Sequence, residues 1–181
     1  MSERSPAPGG LALIEALLNT LDIASRADEL ERPDVRARFG IGEDELPAAR
    51  ELRESLRATL LAHAGHPPHA EVTPLGVLLA RVPLVVEVAP ADGSARLAPA
   101  EGGTLPARVA AAVAEALVAG TWTRFKACAS DTCHWAYYDR SPAGRGRWCS
   151  MQVCGARAKM RRYRAAHRPV VQNATDAGSA D

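Results

Sequence analysis

The sequence predicts an α+β fold in two parts: a mainly helical N-terminal domain with one β-hairpin, then a small C-terminal module of turn, β-hairpin and helix. Three observations carry this expectation. Apolar residues recur at helical spacing through most of the first 120 positions. One branched run, Pro83 to Val88 (PLVVEV), interrupts them as a strand would. All four cysteines fall between Cys128 and Cys154, in two evenly spaced pairs.

The chain has 181 residues, enough for one ordinary domain and a small module, and 47 % of them are apolar. Aromatics contribute only 4 %, so Ala, Leu and Val must build the core. The Pro/Gly/Ser-rich start, residues 1–10, and the tail, residues 169–181, are expected to be disordered. The helical domain is expected over residues 11–121 and the module over residues 122–168.

Leu11 to Leu21 is apolar on most sides, with Leu13, Leu17 and Leu21 in one stripe, which predicts a buried helix. Residues 24–46 are charged and broken by Pro33, Gly40 and Gly42, so short helical turns are expected. Pro47 to Ala64 is amphipathic. Ala49, Leu52, Leu56 and Leu60 share a face, and Arg50, Glu54 and Arg57 point elsewhere. Thr73-Pro74 reads as an N-cap followed by proline in the first turn. Asp92-Gly93 is a turn signal, with a return strand at Ala95 to Ala98. Thr104 reads as the cap of a helix over Pro106 to Ala119 that Gly120 ends.

The formal net charge is +1, but the charges are segregated. Residues 1–120 hold 11 Arg and 17 Asp or Glu; residues 121–168 hold 9 Arg, 2 Lys and only 2 Asp. An acidic body with a basic appendage points to an anionic partner. Arginine outnumbers lysine throughout, alongside abundant Ala, Gly and Pro, which looks like codon bias. Placement therefore informs more than identity. No apolar run approaches the roughly 18–20 residues that cross a bilayer, and the first residues lack a leader pattern. A cytoplasmic protein without membrane contact is expected. In a reducing compartment, paired cysteines more often hold metal than form disulfides.

The spacing is C-x4-C, 15 residues, then C-x4-C. Each pair can offer two thiolates from a tight turn, and the intervening loop can bring the pairs together around a tetrahedral ion. Cys128, Cys133, Cys149 and Cys154 would thus bind Zn2+. Four thiolates leave no position for a reactive water, so the zinc would be structural. A stretch of about 45 residues buries too little surface to fold alone. Zinc, worth on the order of 10–16 kcal/mol, would supply the difference.

His134 to Asp139 reads as a strand, Ser141 to Gly144 as a turn and Arg145 to Trp148 as the return. From Ser150 the period becomes helical. Val153, Ala156, Met160, Tyr163 and His167 would pack on the hairpin. Arg157, Arg161, Arg164 and Arg168 form a second face with Lys159 and Arg162 beside it. Amide groups at the helix start would favour the Cys154 thiolate. Together these elements make a treble-clef-like finger. Its basic helix suits phosphates, double-stranded DNA above RNA. Tyr137, Tyr138 and Trp148 are expected in the finger's small core rather than stacked on bases.

WCSMQVCGARAKMRRYR resembles the CGNR zinc fingers, whose pattern is a cysteine, a few residues, Cys-Gly-Asn-Arg, a lysine and a basic helix. CASDTCHWAYYDRS resembles the same family's first pair and aromatic strand. LALIEALLNTLD, followed by helices, a hairpin and another helix, is similar to the ABATE domain that precedes such fingers. The resemblance implies a bacterial transcriptional regulator whose N-terminal domain senses an effector, forms a homodimer or recruits a partner. The family's Asn is Ala156 here, a position the helix reading packs inside.

The alternative is a protein-interaction or redox-switch zinc module without sequence-specific DNA binding. Asn19, Thr20 and Asp22 end the first helix. A cap or internal hydrogen bond is their default role, and a small-molecule effector site near them is the further expectation. His63, His66 and His69 lie in a Pro-broken loop without carboxylate support and are expected to bind no metal. No phosphate loop, Ser-His-Asp set or carboxylate pair stands out, so no enzymatic activity is expected.

Overall fold

The computed structural model describes residues 5–167. In chain order it has α1 (Leu11–Leu18), α2 (Pro33–Phe39), α3 (Leu46–His63), α4 (Leu75–Leu79), β1 (Leu84–Val88), β2 (Ala95–Pro99), α5 (Leu105–Val118), β3 (Phe125–Ala127), β4 (Ala136–Tyr138) and α6 (Ala156–Ala166). The fold is α+β, as the sequence indicates.

The core follows from the periodicity. Ile14, Leu17 and Leu18 of α1 are fully buried, and α1 packs on both α3 and α5. Leu56 and Leu60 of α3, Val109 of α5 and Leu30 meet them, with Val35 and Phe39 of α2 at the side. The Thr104 hydroxyl accepts from the Ala107 amide and starts α5. Gly120 ends it at φ +64°, a left-handed conformation that glycine adopts without steric cost. The β1–β2 hairpin pairs Leu84 with Pro99 through to Val88 with Ala95.

Four local expectations need correction. Ser5 to Gly10 is not loose: Ala7 is buried, and its amide donates to Glu15 Oε2 at 2.6 Å. Pro74, not Thr73, stands at the N-cap of α4. The Thr73 carbonyl is instead engaged by Ser55 Oγ at 2.7 Å. Arg57, which its spacing on α3 puts off the apolar face, is 0 % exposed, and Arg53 beside it is 3 % exposed. Arg57 is buried because it reaches backbone: Nη2 donates to the Leu18 carbonyl at 2.6 Å and Nη1 to that of His134 at 2.8 Å. Its Nε donates to Glu54 Oε2, and Arg53 holds Asp28 and Glu54, so each buried charge has a partner.

The fourth correction concerns the module. β4 pairs with the upstream β3, Phe125 opposite Tyr138, not with Arg145 to Trp148. The downstream loop wraps the Lys126–Asp139 ion pair (2.9 Å), both residues being buried. The Asp139 carboxylate accepts from the Ser141 and Gly146 amides, and Tyr137 Oη donates to the Gly146 carbonyl. These bonds consume the groups a return strand would have paired. β3 lies on α3, and Phe125, Ala127 and Ala136 belong to the main core. The first half of the module is thus part of the helical body rather than a separately folding unit.

Candidate metal centre and nucleic-acid interface

Each cysteine is placed by a different local device. Cys128 continues β3, its amide donating to the Trp135 carbonyl at 2.9 Å. A tight turn follows, with the Cys133 amide on the Ser130 carbonyl at 2.8 Å and His134 at φ +46°. The Ala129 amide donates to the Arg147 carbonyl at 2.9 Å, which draws the second pair to the first. Cys149 precedes a π-helical turn, Met151–Gly155, closed from the Gly155 amide to the Ser150 carbonyl. Ser150 Oγ caps that turn by accepting from the Val153 amide. A five-residue closure suits a pair five positions apart. A Cβ on Gly155 would come within 3.2 Å of Met151 Sδ and 3.3 Å of Trp148 Cδ1, so the turn is tight against its neighbours.

The four sulfurs all lie within 4.8 Å of one another. Cys133 and Cys149 are 3.6 Å apart and Cys149 and Cys154 3.8 Å apart. Zn–S bonds of about 2.3 Å put tetrahedral sulfurs about 3.8 Å apart, so the set fits one zinc ion. The protonation pattern agrees. Hydrogen bonds from Cys133 and then Cys149 hold the Cys128 thiol down to about 2. The Cys133 thiol is pushed up to about 12 by its bond to Cys128, and that of Cys149 is raised by Cys128 and Cys133. Like charges this close cannot all ionise without a cation among them. These four are the one His/Cys/Asp/Glu group able to hold a metal among the described residues.

The histidines are used elsewhere. His63 Nδ1 donates to the Phe125 carbonyl at 2.8 Å, and His69 meets Glu54 Oε2 at 2.9 Å. His66 Nε2 lies 3.5 Å from Arg147.

Beyond the cluster α6 projects outward. Arg157, Lys159, Arg161, Arg162 and Arg164 are all exposed, and none is ion-paired among the described residues. Arg168 lies outside the described residues. Ala158 is the one buried residue of α6. The expected packed face is therefore wrong: Val153, Met160 and Tyr163 are 47 %, 50 % and 58 % exposed, and Ala156 and His167 are exposed too. The reason is that no element of the body packs closely over α6, whose main contact is with the π turn before it. Met160, Tyr163 and His167 still share a face, with Tyr163 and His167 stacked, but nothing covers it. The face that anchors α6 is Cys154, Gly155 and Ala158.

The family comparison matches this division. A family model, ABATE, described as "Putative stress-induced transcription regulator", matches residues 11–120. The chain belongs to the ABATE family. A second family model, the CGNR zinc finger, matches residues 124–167 and covers the four cysteines and α6. No curated protein sequence matches the chain. In this ABATE protein no helix of the described residues is long and apolar enough to cross a membrane.

Asn19, Thr20 and Asp22 each take part in internal hydrogen bonds. Asn19 Oδ1 accepts from the Ala136 amide at 2.8 Å, and its Nδ2 donates to the Ala136 carbonyl at 3.1 Å. Thr20 Oγ1 donates to the Leu17 carbonyl and accepts from Arg53. Asp22 Oδ1 accepts from the Ala24 and Ser25 amides, which hold its carboxyl below the usual range. All three serve internal structure. Of the aromatics, Tyr137 is buried, Tyr138 packs on the main core, and Trp148 lies by Gly155. The sequence reading missed the seam between buried Arg57 and Glu54. Its one signal was charge within an apolar helix pattern.

Proposed function

We propose that this ABATE protein is a DNA-binding transcriptional regulator. Its finger folds around one structural zinc ion held by Cys128, Cys133, Cys149 and Cys154, and lays α6 on double-stranded DNA. The role is binding, not turnover, because four thiolates fill the coordination shell. The observation that carries the reading is α6 itself: five exposed cations on an 11-residue helix, held out by the thiol cluster. Such a helix is about 16 Å long and fits a major groove about 12 Å wide. Arg157, Arg161 and Arg164 recur at 4 and 3 positions and can follow one phosphate strand.

The test is fluorescence anisotropy on duplex DNA over 50–200 mM salt. Each phosphate contact contributes about 0.9 to the slope of log K against log salt. Changing Arg157, Arg161 and Arg164 together to Ala should reduce the slope by about 3. An unchanged slope, in a variant that still carries one zinc per chain, rejects α6 as the contact surface. Crosslinking and recovery of DNA from cells would then give sequence choice. The half-exposed Met160 and Tyr163 favour a second reading, docking on an acidic protein. In that case duplex DNA shows no salt-dependent binding at all.

A further inference from the structure

Between the β1–β2 hairpin and α5 lies a cavity of about 910 Å³. Val86 and Leu97, partners across the hairpin, form one wall. Leu13 of α1 and Ala111 and Val118 of α5 form much of the rest. Val86, Leu97 and Val118 are 65 %, 38 % and 81 % exposed, an apolar surface that water covers poorly. Small-molecule sites are concave, largely apolar and of about 300–1,000 Å³, with few polar groups to orient the ligand.

The polar groups here are few and unequal. Arg96 is paired with Glu87 across the hairpin. The Arg108 amide donates to the Thr104 carbonyl, but its half-buried side chain makes no hydrogen bond or ion pair among the described residues. A partly desolvated guanidinium without a partner is costly, and a carboxylate can satisfy two of its donors at once. Glu115 also lines the cavity, two helical turns from Arg108 and so about 10 Å along α5. It would repel a second negative end.

We propose that this cavity binds a small amphipathic monocarboxylate, with its carboxylate on Arg108 and its apolar chain against Val86, Leu97 and Ala111. The site would give the N-terminal domain an effector pocket whose lining does not include Asn19, Thr20 or Asp22. Concavity favours a small ligand over a second copy of the chain, and the single unpaired cation favours an acid over an alcohol or amine.

The probes are decanoate, decanol and decanedioate, titrated calorimetrically into the zinc-loaded full chain without DNA. Decanoate should bind more tightly than decanedioate. Arg108→Met should weaken decanoate about ten- to a hundredfold and leave decanol unchanged. Ala111→Phe, which puts a ring into the cavity wall where the chain would lie, should weaken binding of both. Decanoate affinity unchanged in Arg108→Met overturns the proposal. So does absence of binding to a protein that still melts cooperatively. A dimer in sedimentation that buries the hairpin and does not respond to decanoate overturns it in favour of a second copy. Because DNA is absent from the titration, either result leaves the DNA-binding reading untouched.

Discussion

The two cysteine pairs sit in different settings. Cys128 and Cys133 extend from β3 and β4, whose Phe125, Ala127 and Ala136 are sealed in the main core. Around Cys149 and Cys154 the chain is far more exposed, and the helix that follows buries Ala158 alone. The same ion would therefore do unequal work on its two sides. On the first it joins strands that hydrophobic burial already fixes. On the second it holds almost everything, since α6 has little apolar contact of its own. The expectation that metal folds the whole module fails for this reason. Zinc would act as a clamp on residues 149–167, with residues 122–139 as its anvil.

Removing the metal is the largest break in that comparison. Chelation of zinc, worth on the order of 10–16 kcal/mol in isolated fingers, should release α6 and abolish the proposed DNA binding. Hydrogen exchange should show residues 149–167 losing protection while α1, α3 and α5 keep theirs. Collapse of protection throughout would show that the body depends on the ion as well. Next in size is Phe125→Ala, a cavity in the shared core. It should cost about 3–5 kcal/mol of body stability in urea, with zinc stoichiometry retained wherever the chain is folded. A cost below about 1 kcal/mol would place β3 outside the core.

Acid sharpens the contrast in two steps. Thiolates release metal as they protonate, so α6 should leave first. The body should follow lower. Burial alone would raise the Glu54 carboxyl, but the His69 bond and the Arg57 and Arg53 charges hold it down to about 2. Its folded value lies below its unfolded one, so its contribution is complete above about 4.5 and is lost as pH falls towards about 2. The amount is on the order of 3 kcal/mol. Glu54→Gln should flatten this limb of the acid titration and leave the first step in place; an unaltered limb would show that the seam does not govern acid stability. The smallest effect is Ser150→Ala, which removes the cap of the π turn. It should cost about 1 kcal/mol, read as weaker zinc competition against a chelator, without change in body stability.

Much of this was legible in the sequence because it depends on short-range chemistry. Thr104 and Gly120 mark α5 by capping, Leu52, Leu56 and Leu60 mark α3 by period, and the cysteine spacing marks the cluster. What was not legible depends on long-range partners. Arg57 is buried because carbonyls 39 and 77 residues away accept from it. No local pattern reports that. The period of α6 is legible from Ala156 onward, but whether anything covers its apolar face depends on distant elements, and none packs closely there.

Asn19 and Arg57 together have one more effect. They occupy the Ala136 amide and carbonyl of β4 and the His134 carbonyl just before it. A strand from another molecule would need those same groups to add itself there. Two side chains from the helices have already taken them. Because Ala136 is fully buried, this border of β4 is closed within the body, and Asn19→Ala would strand the Ala136 amide and carbonyl without partners in the core.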